Sequence, residues 1–194
     1  MAEIAVFASG NGSNFQRLVE ALRDTRHSVS SLICDRKDAY VLERARLLGI
    51  PSYIVSYEGK SREEAEREII STLKEYDISL IVLAGFMRLL SPQFVDTYPD
   101  RIINIHPSLL PKYPGTKGIE ESYYSGDREL GITIHRVDYG LDTGPILFQK
   151  SFKRTGGESL KEIEERIHAL EHKYYPEVII ELLDSIETEN SKNY

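Results

Sequence analysis

The stretch Arg101-Ile102-Ile103-Asn104-Ile105-His106-Pro107-Ser108-Leu109-Leu110-Pro111 decides the fold. Its apolar residues predict a buried strand that carries two polar side chains, Asn104 and His106, at its end. Side chains along a strand alternate, so Asn104 and His106 face the same way, and the prolines end the strand. Open α/β sheets bind ligands where their strands end, and an amide and an imidazole there can donate hydrogen bonds or move a proton. A turn that merely satisfies Asn104 and His106 is an equal alternative.

Upstream of this strand, apolar runs alternate with helical patterns. The predicted strands cover residues 4–8, 29–34, 52–56 and 78–84, and the predicted helices begin near Phe15, Ala39 and Ser61. The order βαβαβαβ predicts a parallel sheet with right-handed crossovers.

Downstream, residues 132–137 alternate like a half-exposed strand, and residues 146–152 return as an antiparallel partner. A long helical pattern follows, which Pro176 is expected to kink or split. We therefore predict an α/β fold with an open, mostly parallel twisted sheet, helices on both faces, and antiparallel strands near the C-terminal part.

The composition favours a cytoplasmic protein that we expect to form a single domain over residues 1–194. A net charge of −7 argues against nucleic-acid or membrane partners. The single cysteine excludes an internal disulfide and fits a reducing compartment. The longest apolar run, residues 80–87, is too short to span a bilayer, and the N-terminus lacks the basic region of a signal peptide.

A glycine-rich turn, Ser9-Gly10-Asn11-Gly12-Ser13-Asn14, joins the first strand to the first helix. Glycines let the backbone approach an anion, and the helix N-terminus offers free N–H groups, so we favour phosphate binding over a plain N-cap turn. A dinucleotide site is rejected because Phe15 stands where the fingerprint needs glycine, and the Walker lysine is missing.

Two further loops could complete a site. The apolar segment 85–90 suits a flat aromatic ligand or simple packing under the next helix, and residues 138–145 form a turn with two carboxylates. His168 and His172 have a zinc-compatible spacing, but Glu171 is misplaced for a zincin motif, so no metal is expected. His135 is expected to be structural.

Four segments together resemble the folate-dependent formyltransferases. They are Ser9 to Asn14, Leu83-Ala84-Gly85-Phe86-Met87-Arg88-Leu89-Leu90-Ser91-Pro92, Asn104-Ile105-His106-Pro107-Ser108-Leu109-Leu110-Pro111, and Leu141-Asp142-Thr143-Gly144-Pro145. The Gly-Ser-Asn loop and Glu171-His172-x-x-Tyr175-Pro176 resemble the branch that acts on glycinamide ribonucleotide in purine biosynthesis. The resemblance runs from residue 4 to about 180 and implies a Rossmann-like formyltransferase fold.

The resemblance also implies roles for particular residues. Asn104, His106 and Asp142 would be catalytic; Gly12, Ser13, Asn14, His168 and Glu171 would bind the substrate phosphate and ribose; and Arg62, Met87, Arg88, Leu89, Leu90, Asn104, Val137, Asp138, Tyr139, Gly140, Leu141 and Asp142 would bind the folate. The co-substrate would be 10-formyltetrahydrofolate, the partners would be small molecules, and no metal would be needed. A homodimer is left open.

Two segments depart from the pattern of that branch. Thr116-Lys117-Gly118-Ile119 stands where family members often carry a histidine or small polar residues, and residues 125–127 and 140–144 resemble the methionyl-tRNA enzymes. The tRNA enzymes, however, carry an extra C-terminal domain, and we expect this chain to be too short to include one. The alternatives are a formyltransferase for another amine, such as methionyl-tRNA or an amino-sugar nucleotide, and a non-catalytic folate- or nucleotide-binding module.

Overall fold

A computed structural model describes residues 1–192, and the apolar runs form seven strands of one sheet. The strands are β1 (Glu3–Ala8), β2 (Ser28–Cys34), β3 (Ser52–Ile54), β4 (Ile78–Leu83), β5 (Ile102–His106), β6 (Glu129–Arg136) and β7 (Ile146–Lys153). The helices are α1 (Ser13–Leu22), α2 (Val41–Leu48), α3 (Arg62–Leu73), α4 (Pro92–Thr97), α5 (Gly118–Tyr124) and α6 (Leu160–Lys192).

The strand order is β3-β2-β1-β4-β5-β6-β7. The first five strands in this order are parallel, and β6 and β7 pair antiparallel, as predicted. From β1 the chain moves outward to β2 and β3, then crosses back to place β4 on the other side of β1. This reversal is a topological switch point, and the crevice between β1 and β4 is where such sheets bind ligands.

Both faces of the sheet are covered, so the central parallel strands β1 and β4 are buried almost throughout, while the edge strand β3 is largely exposed. Along β1, Ile4 and Val6 join a core with α1, α2 and α6, while Ala5 and Phe7 join a second core with α3 and α4. Each large side chain that is fully buried in this way stabilises the fold by roughly 1.5–3 kcal/mol. The near-continuous apolar runs in the sequence reflect this two-sided burial.

Local signals set the helix ends close to where the sequence predicts them. Ser61 and Glu64 form the expected capping box of α3, with each side chain bonded to the other residue's backbone N–H. Gly49 ends α2 in the left-handed conformation, at φ 72°. The predicted start of α2 near Ala39 was two residues early, because its first helical residue is Val41.

The half-exposed pattern predicted for β6 is wrong, because Leu130 through His135 are all buried. One face of β6 packs into the core beneath α6. On the other face, Thr133 accepts a hydrogen bond from the Leu110 N–H and donates to the Ser108 carbonyl oxygen. The loop after β5 therefore covers the polar positions of β6.

The last helix, α6, runs unbroken through Pro176, so the expected split does not occur. Proline removes one hydrogen bond from a helix, but apolar residues on either side of it, including Tyr175 and Ile179, are fully buried against the sheet. The Tyr175 hydroxyl lies within hydrogen-bond distance of two carbonyl oxygens, 2.8 Å from Leu83 on β4 and 3.1 Å from Ile103 on β5. Tertiary packing thus outweighs the local cost of the proline.

Candidate active site

A cavity of about 380 Å³ lies at the carboxyl ends of β1, β4 and β5. Its wall is formed by residues 10–14, 83–90, 104–107 and 140–142, with further side chains from β6, α5, α6 and the loop before α5. This is the crevice that the switch point predicts. The volume is in the usual range for a small-molecule site.

The glycine-rich turn forms one end of the cavity. Gly12 adopts φ 78° directly before α1, whose first N–H groups have no intrahelical partners. A Cβ on Gly12 would lie only 2.3 Å from Val41 Cγ2, so glycine is required by the packing of α2 against the turn. The sequence explanation for this glycine was the close approach of a ligand, but the nearest obstacle is Val41.

Next to this turn, Glu171 is buried and joins α6 to α1. Its Oε2 accepts hydrogen bonds from Asn14 Nδ2 and His168 Nδ1, each at 3.0 Å. The hydrogen bond to Glu171 raises the pKa of His168, although burial opposes the shift. Burial lowers the pKa of the neighbouring His172. His168 Nδ1 is therefore hydrogen-bonded to the Glu171 carboxylate, which lies beside the glycine-rich turn.

The structure brings Asn104, His106 and Asp142 into contact. Asp142 Oδ1 lies 3.4 Å from Asn104 Nδ2, and Asp142 Oδ2 lies 3.4 Å from His106 Nδ1. Asp142 Oδ2 also accepts a hydrogen bond of 2.8 Å from the Gly115 N–H. The sequence could place Asn104 and His106 on one face, and the turn after β6 supplies Asp142 from 36 residues beyond His106.

The proton positions on His106 follow from its neighbours. Nε2 lies 2.7 Å from the Tyr113 carbonyl oxygen, which can only accept, so Nε2 carries a proton. Nδ1 faces the Asp142 carboxylate, which also accepts. Both ring nitrogens of His106 therefore face hydrogen-bond acceptors.

Asp142 is held ionised in an uncommon backbone conformation, at φ 55°. Burial raises the pKa of its carboxyl, but the hydrogen bonds from His135 and the Gly115 N–H and the charges of His106 and His135 outweigh burial and leave the pKa below its usual value. Strained backbone is concentrated at functional sites.

His135 was expected to be structural, but it completes the cluster. Its Nδ1 donates to the Arg136 carbonyl oxygen at 2.8 Å, while Nε2 lies 3.2 Å from Asn104 Nδ2 and 3.5 Å from Asp142 Oδ1. The antiparallel register pairs His135 directly with Asn104. The sequence held part of this signal, since an antiparallel neighbour of β5 must present some side chain beside Asn104.

The apolar loop after β4 and the turn after β6 line the other end of the cavity. Met87, Leu89 and Leu141 are exposed at its rim, and Val137 contributes to its wall. Arg88 Nε donates to Asp35 Oδ2 at 2.7 Å. This end of the cavity therefore has an apolar surface, and the ion pair between Arg88 and Asp35 holds its loop in place.

Three of the residues predicted to bind folate do not line the cavity. Arg62 begins α3 and lies 3.7 Å from a carboxylate oxygen of Glu63. Asp138 stabilises its own turn by accepting from the Gly140 N–H, and the Tyr139 hydroxyl donates to Asp96. The other predicted site residues all line the cavity.

Residues 2–179 match the family model described as formyl transferase. The chain belongs to the formyl transferase family. It is 46% identical over 188 residues to the phosphoribosylglycinamide formyltransferase of Bacillus subtilis (strain 168), which covers 94% of this chain and 95% of that protein. The corresponding enzyme of Escherichia coli (strain K12) is 41% identical, over 91% of this chain and 84% of its own.

Solved structures of the family agree with the fold. Glycinamide ribonucleotide transformylase 1 from Geobacillus kaustophilus superposes with a TM-score of 0.91 at 44% identity, covering 94% of this chain and 99% of that chain. The seven-stranded sheet with its antiparallel β6 and β7 is thus a formyltransferase fold. Within residues 1–192, no helix combines the length and apolar character needed to cross a membrane.

Proposed function

We propose that this formyltransferase moves a formyl group from 10-formyltetrahydrofolate to the amine of glycinamide ribonucleotide, a step of de novo purine biosynthesis. The observation that carries the proposal is the contact of Asn104, His106 and Asp142 in the same cavity as a glycine-rich turn and an apolar loop. The turn offers N–H groups to a phosphate, the loop offers apolar surface to a pterin, and the acid–base groups share the cavity with both. The names of the relatives support the same substrates.

The cavity fits the two substrates in one orientation. The phosphate would lie on Gly12, Ser13 and Asn14 at the start of α1. The ribose hydroxyls would donate to Glu171, with His168 beside it. The folate would lie between residues 87–90 and 137–142, which places its formyl group beside the catalytic set. We also propose that residues 1–194 act as one formyltransferase domain, because all seven strands that the structure describes join one sheet.

Formyl transfer requires charge stabilisation and a proton route. The amine attacks the formyl carbon, and a negative charge develops on the formyl oxygen. A protonated His106, with Nε2 bonded to the Tyr113 carbonyl oxygen, would donate its Nδ1–H to the formyl oxygen. Asp142 can receive the amine proton, directly or through water, and that proton then passes to N10, so that the C–N10 bond breaks, N10 leaves as a neutral amine and the formyl carbonyl re-forms.

Asn104 needs a rearrangement to serve as an oxyanion donor. Its Nδ2 lies 3.2 Å from His135 Nε2 and 3.4 Å from Asp142 Oδ1. Both contacts are long for hydrogen bonds, so a forming oxyanion can compete for one hydrogen. Removing one such donor costs about 3–4 kcal/mol of barrier in other enzymes.

Parallel absorbance assays of folate turnover test the proposal. We expect turnover with glycinamide ribonucleotide and none above background with methionyl-tRNA or an amino-sugar nucleotide. Preference for either of the other acceptors would replace the proposed substrate. Folate binding without turnover of any acceptor would favour the binding-module alternative.

A further inference from the structure

Helix α2 holds the glycine-rich turn from behind. The Val41 N–H donates to the Gly10 carbonyl oxygen at 3.1 Å, and the Val41 side chain occupies the space that a Cβ on Gly12 would need. One helical turn further along, Arg44 extends to the same turn. The turn that we assign to the phosphate is therefore shaped by a helix that supplies none of the cavity lining.

Arg44 contacts the turn through two of its nitrogen atoms and α1 through the third. Nε donates to the Asn11 carbonyl oxygen and Nη2 donates to Asn11 Oδ1, each at 2.8 Å. Nη1 donates to Gln16 Oε1 in the first turns of α1, and the guanidinium carbon lies 4.9 Å from the centre of the Tyr40 ring. A planar guanidinium makes such forked contacts and an ammonium does not. One side chain thus ties Asn11 to α1 across the site of the proposed phosphate.

The same side chain supplies charge that the turn lacks. Residues 9–14 include no lysine or arginine, and Arg88, the arginine in the cavity lining, is paired with Asp35. The partly buried His172 lies in the field of the nearby charges: burial lowers its pKa first, Glu171 opposes the shift, and the charges of Arg17, His168 and Arg44 lower it further. A phosphate at the start of α1 would carry about two negative charges and would benefit from the Arg44 charge behind the turn.

We propose that Arg44 is the positioning residue of the phosphate site, since it holds Asn11 and the start of α1 in place and offsets the phosphate charge. This inference rests on the proposed function only for the identity of the ribonucleotide. Phosphate recognition by the turn can be measured without any formyl transfer.

The test compares Arg44→Lys and Arg44→Met with Arg46→Met. Arg46 lies on the same helix but pairs with Glu43 and does not contact the turn, so Arg46→Met is a matched control. Calorimetric titrations of the full chain with ribose 5-phosphate and with inorganic phosphate report binding independently of catalysis. Steady-state kinetics then give KM for both substrates, and a melting curve checks the fold of each variant.

We expect Arg44→Met to weaken ribose 5-phosphate binding and raise KM for the ribonucleotide about tenfold, the scale of a lost charge-assisted contact. KM for the folate and kcat should change by less than roughly twofold, as should all constants of the Arg46→Met control. Arg44→Lys should recover part of the loss because it keeps the charge without the fork. The salt dependence of ribose 5-phosphate binding should be weaker in Arg44→Met than in the wild type.

Other outcomes separate the two proposals. Equal losses for both substrates with a lowered melting temperature would reduce Arg44 to a structural residue, and Arg44→Lys no better than Arg44→Met would remove the charge contribution. A wild type that does not bind ribose 5-phosphate would overturn the inference. A wild type that binds it through Arg44 but does not formylate glycinamide ribonucleotide would overturn the proposed function alone.

Discussion

The two ends of the reacting centre are built in opposite ways. At the turn after β1, residues 10–14 line the cavity beside the free N–H groups at the start of α1, and the shape of the turn depends on Val41 and Arg44. At the end of β5, side chains contact one another, and their protonation matters more than the backbone path. Substitutions in the first region should therefore change the shape of the turn and weaken substrate binding. Substitutions in the second region should change its charges and lower turnover.

The largest effect is expected at the charged end. Asp142→Asn should cut kcat roughly a hundredfold or more, the scale of a lost acid–base partner, and leave both KM values within a few-fold. His106→Ala should do similar damage, and the double variant should be little worse than the poorer single variant, because the pair acts as a unit. Steady-state kinetics measure all three variants.

The exposed Asp24→Asn, at the turn after α1, is the control for a generic loss of charge. Fully additive losses would mean that His106 and Asp142 act independently. Near-wild-type turnover in either single variant would place the chemistry elsewhere.

The next largest effect is expected at the glycine-rich turn after β1. Gly12→Val should raise KM for the ribonucleotide about tenfold, because a left-handed φ costs a branched residue roughly 1–2 kcal/mol and its Cβ would meet Val41. KM for the folate should be nearly unchanged. Gly126→Val is the matched control, since Gly126 has a similar φ of 79°, lies outside the cavity lining, and a Cβ there would meet no atom within 4 Å. Kinetics in which Gly12→Val affects both substrates equally would refute this assignment.

A smaller effect sharpens the comparison through His135. Its hydrogen bond helps lower the pKa of Asp142, so His135→Gln should let that pKa rise. Since Asp142 must be ionised, the acid limb of the kcat profile should move to higher pH, and turnover on that limb should fall about fivefold, the scale of one hydrogen bond, while turnover at neutral pH should change little. A pH–rate profile measures this, and an unmoved acid limb would return His135 to a purely structural role.

The smallest effect lies between the two regions. The pKa of His168 is raised, chiefly by its hydrogen bond to Glu171, so the pair is intact at low pH and is lost as pH rises through that raised value. KM for the ribonucleotide should accordingly drift upward by roughly twofold over that range, a small change because His168 is half exposed. His168→Asn should abolish the drift and His172→Asn should retain it, as KM measurements across pH would reveal.

Periodicity predicted the architecture well because the central strands β1 and β4 are buried on both faces and carry near-continuous apolar runs. It failed for β6, whose Thr133 is covered by the loop after β5 and whose His135 is covered by Asn104 and Asp142. The split that Pro176 could cause does not occur, since Tyr175 and other apolar residues of α6 are buried against the sheet. Long-range packing is the information that a local pattern lacks.

The site followed the same rule. Asn104 and His106 could be paired from strand period alone, and family motifs supplied Asp142. Arg44 could not be found in this way, because nothing in the pattern of α2 tells which of its arginines faces the glycine-rich turn. The sequence predicted that Gly12 is required because a ligand approaches the backbone there, but the close packing of Val41 against Gly12 could not be predicted.

Tyr175 gives the long helix a fixed rotational setting. Its hydroxyl can share one hydrogen between carbonyl oxygens of β4 and β5, and Glu171 lies four residues earlier on the same face of α6. A rotation of α6 about its axis would break the Tyr175 hydrogen bonds to the sheet and would also move the Glu171 carboxylate away from Asn14 and the proposed ribose position. Tyr175 thus fixes the rotation of the 33-residue helix α6 relative to β4 and β5.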